Sequence, residues 1–101
     1  MWVLVMFDLP VETREQAKEA TKFREHLLDL GFERCQFSVY LRFVEGREQA
    51  QTMTRRVEQQ LPEGGSVYVL YFTDKQYSGI VRFENRRRKK RSKSPGQHEL
   101  F

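Results

Sequence analysis

Met1-Trp2-Val3-Leu4-Val5-Met6-Phe7-Asp8-Leu9-Pro10 decides how the rest of this chain folds. Six consecutive apolar residues, Trp2 to Phe7, run into a single carboxylate, Asp8. A short unbroken apolar run ended by a turn signal reads as a strand buried on both faces. Pro10 has no N–H and biases Leu9 toward extended geometry, so the strand is expected to end near Asp8. A central strand then carries one acid at its C-terminal end, the place where open sheets gather ligands. Asp8 also has a plain local reading, as a turn residue bonding its neighbours' backbone N–H groups.

Working outward, Thr13 to Leu30 reads as a first helix. Thr13 and Gln16 have capping-box spacing, and Glu12 and Glu15 suit the positive helix start. Ala17, Ala20, Phe23 or Arg24, Leu27, Leu28 and Leu30 form an apolar stripe, and Gly31 suits the position just past the end. Phe32 to Val44 alternates: Cys35, Phe37, Val39, Leu41 and Phe43 against Gln36, Ser38, Tyr40 and Arg42. Period two means strand, either one long strand or two short ones with a tight break near Gln36–Ser38. After a turn at Glu45-Gly46, Arg47 to Leu61 reads as a second helix burying Ala50, Met53, Thr54, Val57 and Leu61. Pro62 to Gly65 is a turn. Ser66 to Thr73 is a strand apolar on both faces, expected beside the first. Asp74-Lys75-Gln76 reads as a loop or turn, with a short fifth strand around Ile80–Phe83.

The order β-α-β(β)-α-β-β predicts an α+β fold, a ferredoxin-like β-α-β-β-α-β plait with an extra C-terminal strand. Both helices lie on one face of its antiparallel sheet. The other face is bare, and a two-fold homodimer is the simplest cover. The chain's 101 residues, 39% apolar, suffice for one small domain with a thin core. With one cysteine, Cys35, neither an intrachain disulfide nor a multi-cysteine zinc site is available, and its apolar setting makes it a core thiol. The opening apolar run is too short for a membrane span and unlike a signal peptide. A soluble, reducing, cytoplasmic setting is the expectation.

Charge divides the chain into an expected domain at 1–85 and a basic tail at 86–101. Residues 1–85 hold 11 Lys/Arg and 13 Asp/Glu, a net of −2, whereas residues 86–101 hold 7 Lys/Arg and 1 Asp/Glu, a net of +6. Arg86, Arg87, Arg88, Lys89, Lys90 and Arg91 suit sequence-independent contact with a phosphate backbone. The closing Leu100-Phe101, after Ser94-Pro95-Gly96, has the form of a short apolar docking peptide for a partner's groove or sheet edge.

Taken as an ordered set, Val5-Met6-Phe7-Asp8-Leu9-Pro10, Gly31-Phe32 and Arg34-Cys35-Gln36-Phe37-Ser38-Val39-Tyr40 resemble the second family of CRISPR-associated proteins. This family is the small adaptation subunit that often carries an endoribonuclease name. Leu61 to Leu70, Thr73 to Tyr77 and Gln97-His98-Glu99-Leu100-Phe101 resemble its form in type II systems. The resemblance implies a ferredoxin-like homodimer in which the break near Gln36–Ser38 is real. It implies that Asp8 of each subunit approaches its mate across the interface and binds Mg2+, and that Arg34 touches substrate. It further implies antiviral defence as a subunit of the spacer-acquisition complex. There the dimer sits between copies of the CRISPR integrase and holds duplex DNA, the spacer precursor. Under the alternative reading, Asp8 is the catalytic and metal-binding residue of a magnesium-dependent endoribonuclease or endonuclease that cleaves phosphodiester bonds, with single-stranded RNA a candidate substrate. The chain supplies no evident general base for that chemistry: His26 lies in the first helix and His98 in the tail. Two neighbouring carboxylates also repel one another unless a metal or a shared proton offsets them.

Overall fold

β1 (Trp2–Asp8) occupies the middle of an antiparallel sheet in the computed structural model, which describes residues 1–84 and the backbone of residues 87–89. The chain continues as α1 (Arg14–Asp29), β2 (Glu33–Gln36), β3 (Val39–Phe43), α2 (Arg47–Glu58), β4 (Ser66–Phe72), α3 (Asp74–Ser78), β5 (Arg82–Glu84) and β6 (Arg87–Lys89). The four long-range strands take the order β2-β3-β1-β4, the ferredoxin-like arrangement expected from the sequence. β4 lies beside β1 along its full length, with Trp2 opposite Phe72 and Asp8 opposite Ser66.

Strand alternation sends successive β1 side chains to opposite faces. Val3, Val5 and Phe7 pack with Phe23 and Leu27 of α1 and with Ala50, Met53 and Val57 of α2, so both helices cover one face. Phe7 meets Phe23 edge to face, with ring centroids 5.1 Å apart. The predicted capping box at the start of α1 is present: Gln16 N–H donates to the Thr13 hydroxyl at 3.1 Å, and Thr13 N–H donates to the Gln16 side chain at 3.1 Å. At the other end Gly31 takes φ +88°. A Cβ there would stand 3.0 Å from Arg42 Nε, so the missing side chain leaves room for Arg42 to donate to the Leu30 carbonyl at 2.9 Å.

The opposite face has its own, smaller core. Trp2 is fully buried against Leu41, Cys35 and Tyr77, with its ring stacked on Tyr77 at 4.1 Å. Tyr77 belongs to α3, which replaces the loop or turn expected at residues 74–76. Thr73 and Gln76 form a second capping box there, repeating the Thr13–Gln16 arrangement. β5 begins at Arg82, slightly later than expected, and pairs with β6 rather than with the main sheet. Three residues of the basic run, Arg87 to Lys89, thus have strand backbone.

Of the two readings left open for residues 32–44, the structure has the two strands, joined by a turn at Phe37–Ser38, with Ser38 at φ 64°. The turn changes the phase of the alternation: Tyr40 is buried with the helices, and Phe37, read as part of an apolar face, is 77% exposed. Leu28 and Leu61 are also exposed, because α1 turns Leu28 to solvent and α2 ends at Glu58, before Leu61. No helix among the described residues is long and apolar enough to cross a membrane.

Candidate functional site

Beyond the part covered by α3, the second sheet face exposes Met6, Tyr68 and Leu70 in adjoining positions on β1 and β4. Asp8 stands at the end of this strip, two residues beyond Met6 and therefore on the same face. Its side chain is exposed and directly across from Ser66.

The backbone under Asp8 is held from two sides. Phe7 N–H donates to the Ser38 carbonyl at 3.0 Å, tying the β2–β3 turn to the end of β1. On the other side Gly65, at φ +79°, packs so closely that a Cβ would collide with the Asp8 carbonyl oxygen and stand 3.0 Å from Leu9 Cα. Gly64 likewise backs onto the Pro10 ring. Pro10 ends the strand, and the Gly64-Gly65 turn starts its neighbour at the same level.

Around the carboxylate lies a shallow pocket of about 270 Å³ lined by Met6, Asp8, Phe37, Ser38, Ser66 and Tyr68. Arg34, on β2, has its guanidinium carbon 5.7 Å from the centre of the Phe37 ring. The tertiary structure thus brings Asp8 and the Phe37 turn to one end of the sheet, and Arg34 to the same turn. Phe37 and Tyr68 escaped the sequence reading, which placed the first in an apolar strand face and the second in a buried strand.

Arg86, Lys90, Arg91, Leu100 and Phe101 lie outside the described residues, as does His98. Arg87, Arg88 and Lys89 lie in β6. His26 is remote from the pocket in role: its Nε2 pairs with the Arg56 carbonyl at 2.9 Å and so links the two large helices. Cys35 is buried, and burial, against smaller opposing backbone hydrogen bonds at Cys35 and Gln36, pushes its thiol pKa up from its ordinary value. That is the behaviour of a core thiol, not of an activated nucleophile.

The donor set defines what ion the site can take. Among the described residues no three His, Cys, Asp or Glu side chains gather as a metal cluster. Asp8 and Ser66 offer oxygen donors, the type that hard cations such as magnesium take together with water and phosphate, and not the Cys and His donors that zinc prefers.

Comparison with known proteins places the chain. The family model described as "CRISPR associated protein Cas2" matches residues 1–80. A protein of Paracidovorax avenae named "CRISPR-associated endoribonuclease Cas2" is 52% identical over all of this chain and 94% of its own length. Proteins with the same name from Flavobacterium psychrophilum and Parvibaculum lavamentivorans are 45% and 38% identical over the whole chain, covering 88% and 100% of their own lengths. With the β2-β3-β1-β4 sheet and the Asp8 strand end in place, the chain belongs to the Cas2 family of CRISPR-associated proteins.

Proposed function

We propose that this protein works as a homodimer that binds duplex DNA without sequence preference and bridges copies of the CRISPR integrase during spacer acquisition. The observation that carries the reading is the apolar strip on the open sheet face, where Met6, Tyr68 and Leu70 are 40%, 61% and 43% exposed and Asp8 stands at the end. Contiguous apolar surface rimmed by polar groups marks an interaction site. Two copies that bury this strip around a two-fold axis bring their Asp8 carboxylates toward one another. The basic run Arg86 to Arg91 supplies the phosphate contacts, and Leu100-Phe101 supplies an apolar peptide for the integrase.

A second reading, magnesium-dependent cleavage of single-stranded RNA, is favoured by the exposed Asp8 and by the endoribonuclease name that the relatives carry. Bound magnesium supplies Lewis-acid polarisation of a phosphate oxygen and a more acidic water. The protein's part is to hold Asp8 rigidly through the Ser38 and Gly65 contacts and to present the substrate phosphate beside it. With both Asp8 carboxylates of a dimer committed to the metal and no His or Lys evident beside them as general base, this reading supports slow hydrolysis only.

Asp8→Ala separates the two. The variant is compared with the native protein for dimer mass, integrase binding, spacer acquisition and metal-dependent RNA cleavage. The scaffold reading expects acquisition to survive while cleavage disappears. Loss of acquisition with dimer and integrase binding intact overturns it. Truncation after Asn85 tests the tail: unchanged DNA and integrase binding removes the role given to Arg86–Arg91 and Leu100-Phe101.

A further inference from the structure

Strand backbone divides the basic run. β5 and β6 form a two-stranded ribbon apart from the main sheet, with Arg82 opposite Lys89, Phe83 opposite Arg88 and Glu84 opposite Arg87. In an antiparallel pair, residues directly opposite share a face, and successive residues alternate between faces. One face of the ribbon therefore carries the positions of Arg82, Glu84, Arg87 and Lys89. The other carries those of Phe83 and Arg88.

β5 shows which face is which. Arg82 and Glu84 are half-buried, and Arg82 Nε and Nη1 and Glu84 Oε1 are shut off from solvent. Phe83, between them, is 69% exposed. The face of Arg82 and Glu84 is thus the inner one, and the face of Phe83 the outer one. The body of the protein sets this attitude: β5 borders a cavity of about 340 Å³ whose other walls include Leu4, Cys35, Leu41 and Ile80. Charge divides in the same way. On the inner face a carboxylate, Glu84, is the register partner of Arg87, whereas on the outer face the register partner of Arg88 is an apolar ring.

We infer that the Phe83 face of this ribbon is the one turned to a DNA duplex, and that Arg88 makes the phosphate contact of β6 while Arg87 and Lys89 do not. This rests on the reading of the basic run as the duplex-binding segment and assigns unequal roles within it. A duplex is a stiff rod that lies along one face of a short ribbon, so cations on the opposite face do not reach the same backbone. Charge complementarity selects the face: a phosphate meets a cation with no opposing acid on the outer side, and a carboxylate on the inner side. The contact positions the duplex and carries no base information.

The test uses the full chain in EDTA, so that binding is measured without cleavage. Affinity for a labelled DNA duplex is measured from about 50 to about 200 mM salt, because each phosphate contact adds about 0.9 to the slope of log affinity against log salt. Arg88→Gln is expected to lower that slope by about 0.9, and Arg87→Gln and Lys89→Gln by less than about a third as much. Arg88→Lys, which keeps the charge, is expected to keep the native slope. Phe83→Trp is expected to change its indole emission as the duplex saturates it, against a native protein whose Trp2 is fully buried.

Four results overturn the assignment: equal slope losses for all three glutamine variants, a native slope in Arg88→Gln, emission of Phe83→Trp unmoved by saturating duplex, or a fall in the mass of the free Arg88→Gln or Phe83→Trp protein. The first makes the run a uniform polycation, and the last gives the outer face to contact between copies of the chain. A full chain with every cation from Arg86 to Arg91 changed to Gln keeps the two readings apart. If it loses the duplex while Arg88→Gln keeps the native slope, only the choice of face fails. If it binds the duplex as the native protein does, the reading of the basic run fails and takes the choice of face with it.

Discussion

Gly65→Ala tests whether the Asp8 end of the sheet is held as described. Gly65 stands at φ +79°, where an L side chain costs about 1–2 kcal/mol. The new Cβ would also collide with the Asp8 carbonyl oxygen and approach Leu9 Cα to 3.0 Å. Both neighbours are backbone atoms, so relief requires the start of β4 to move away from β1. That movement loosens the Asp8–Ser66 pairing, at about 1 kcal/mol for a lost hydrogen bond. The sum is about 2–3 kcal/mol, a large part of the ~5–15 kcal/mol typical of a small domain. At about 4–8 °C per kcal/mol, the melting temperature falls by roughly 8–24 °C. Urea and thermal unfolding at one fixed protomer concentration measure it, because self-association makes apparent stability concentration-dependent. Gly79→Ala is the control: its Cβ would meet carbonyl oxygens only at 3.4 and 3.7 Å, and its backbone suits any residue. That change is expected to be neutral or to stabilise by about 0.4–1 kcal/mol. Equal midpoints for Gly65→Ala and the native protein would refute the argument that this glycine sets the Asp8 backbone.

Arg42 donates to the Leu30 carbonyl at the end of α1 and to the Phe43 carbonyl at the end of β3, each at 2.9 Å, so Arg42→Ala takes this donor from both and costs about 2–3 kcal/mol in urea unfolding. Arg42→Lys restores less than half of that, since an ammonium lacks the planar fork that reaches both oxygens. Burial raises the Cys35 thiol pKa, so in alkali the unfolded chain gives up this proton first and native stability falls as pH rises above the unfolded thiol's range. Urea midpoints from about pH 7 to about pH 10 are expected to fall less steeply in Cys35→Ala than in the native protein. The native thiol should also react slowly with an aromatic disulfide reagent until urea exposes it.

Much of the architecture was legible because local signals agreed. The apolar run Trp2–Phe7 and the stop at Pro10 set β1, and Thr13 with Gln16 set the start of α1. The doubly apolar Val67–Phe72 run identified the neighbour of β1, which the register then aligned from Trp2 to Asp8. α3 was missed because five residues cannot show helical periodicity, although Thr73-Asp74-Lys75-Gln76 carries the same capping spacing as Thr13-Arg14-Glu15-Gln16.

What the sequence determined by itself was β1, the two long helices, β4 as the neighbour of β1, and the acid at the end of β1. Each follows from hydrophobic period, capping residues and the conformational limits of proline and glycine, all of which act over a few neighbours. Tertiary structure alone decided the rest. Whether Phe32–Val44 was one strand or two depended on Ser38 at φ 64°, a conformation that period two does not encode. That single turn moved Tyr40 into the helix-facing core, brought Phe37 out beside Asp8, and left Arg34 against its ring. Gly65 and Ser38 are far from Asp8 in sequence, and they meet it only because antiparallel pairing brings three chain segments to the same sheet end.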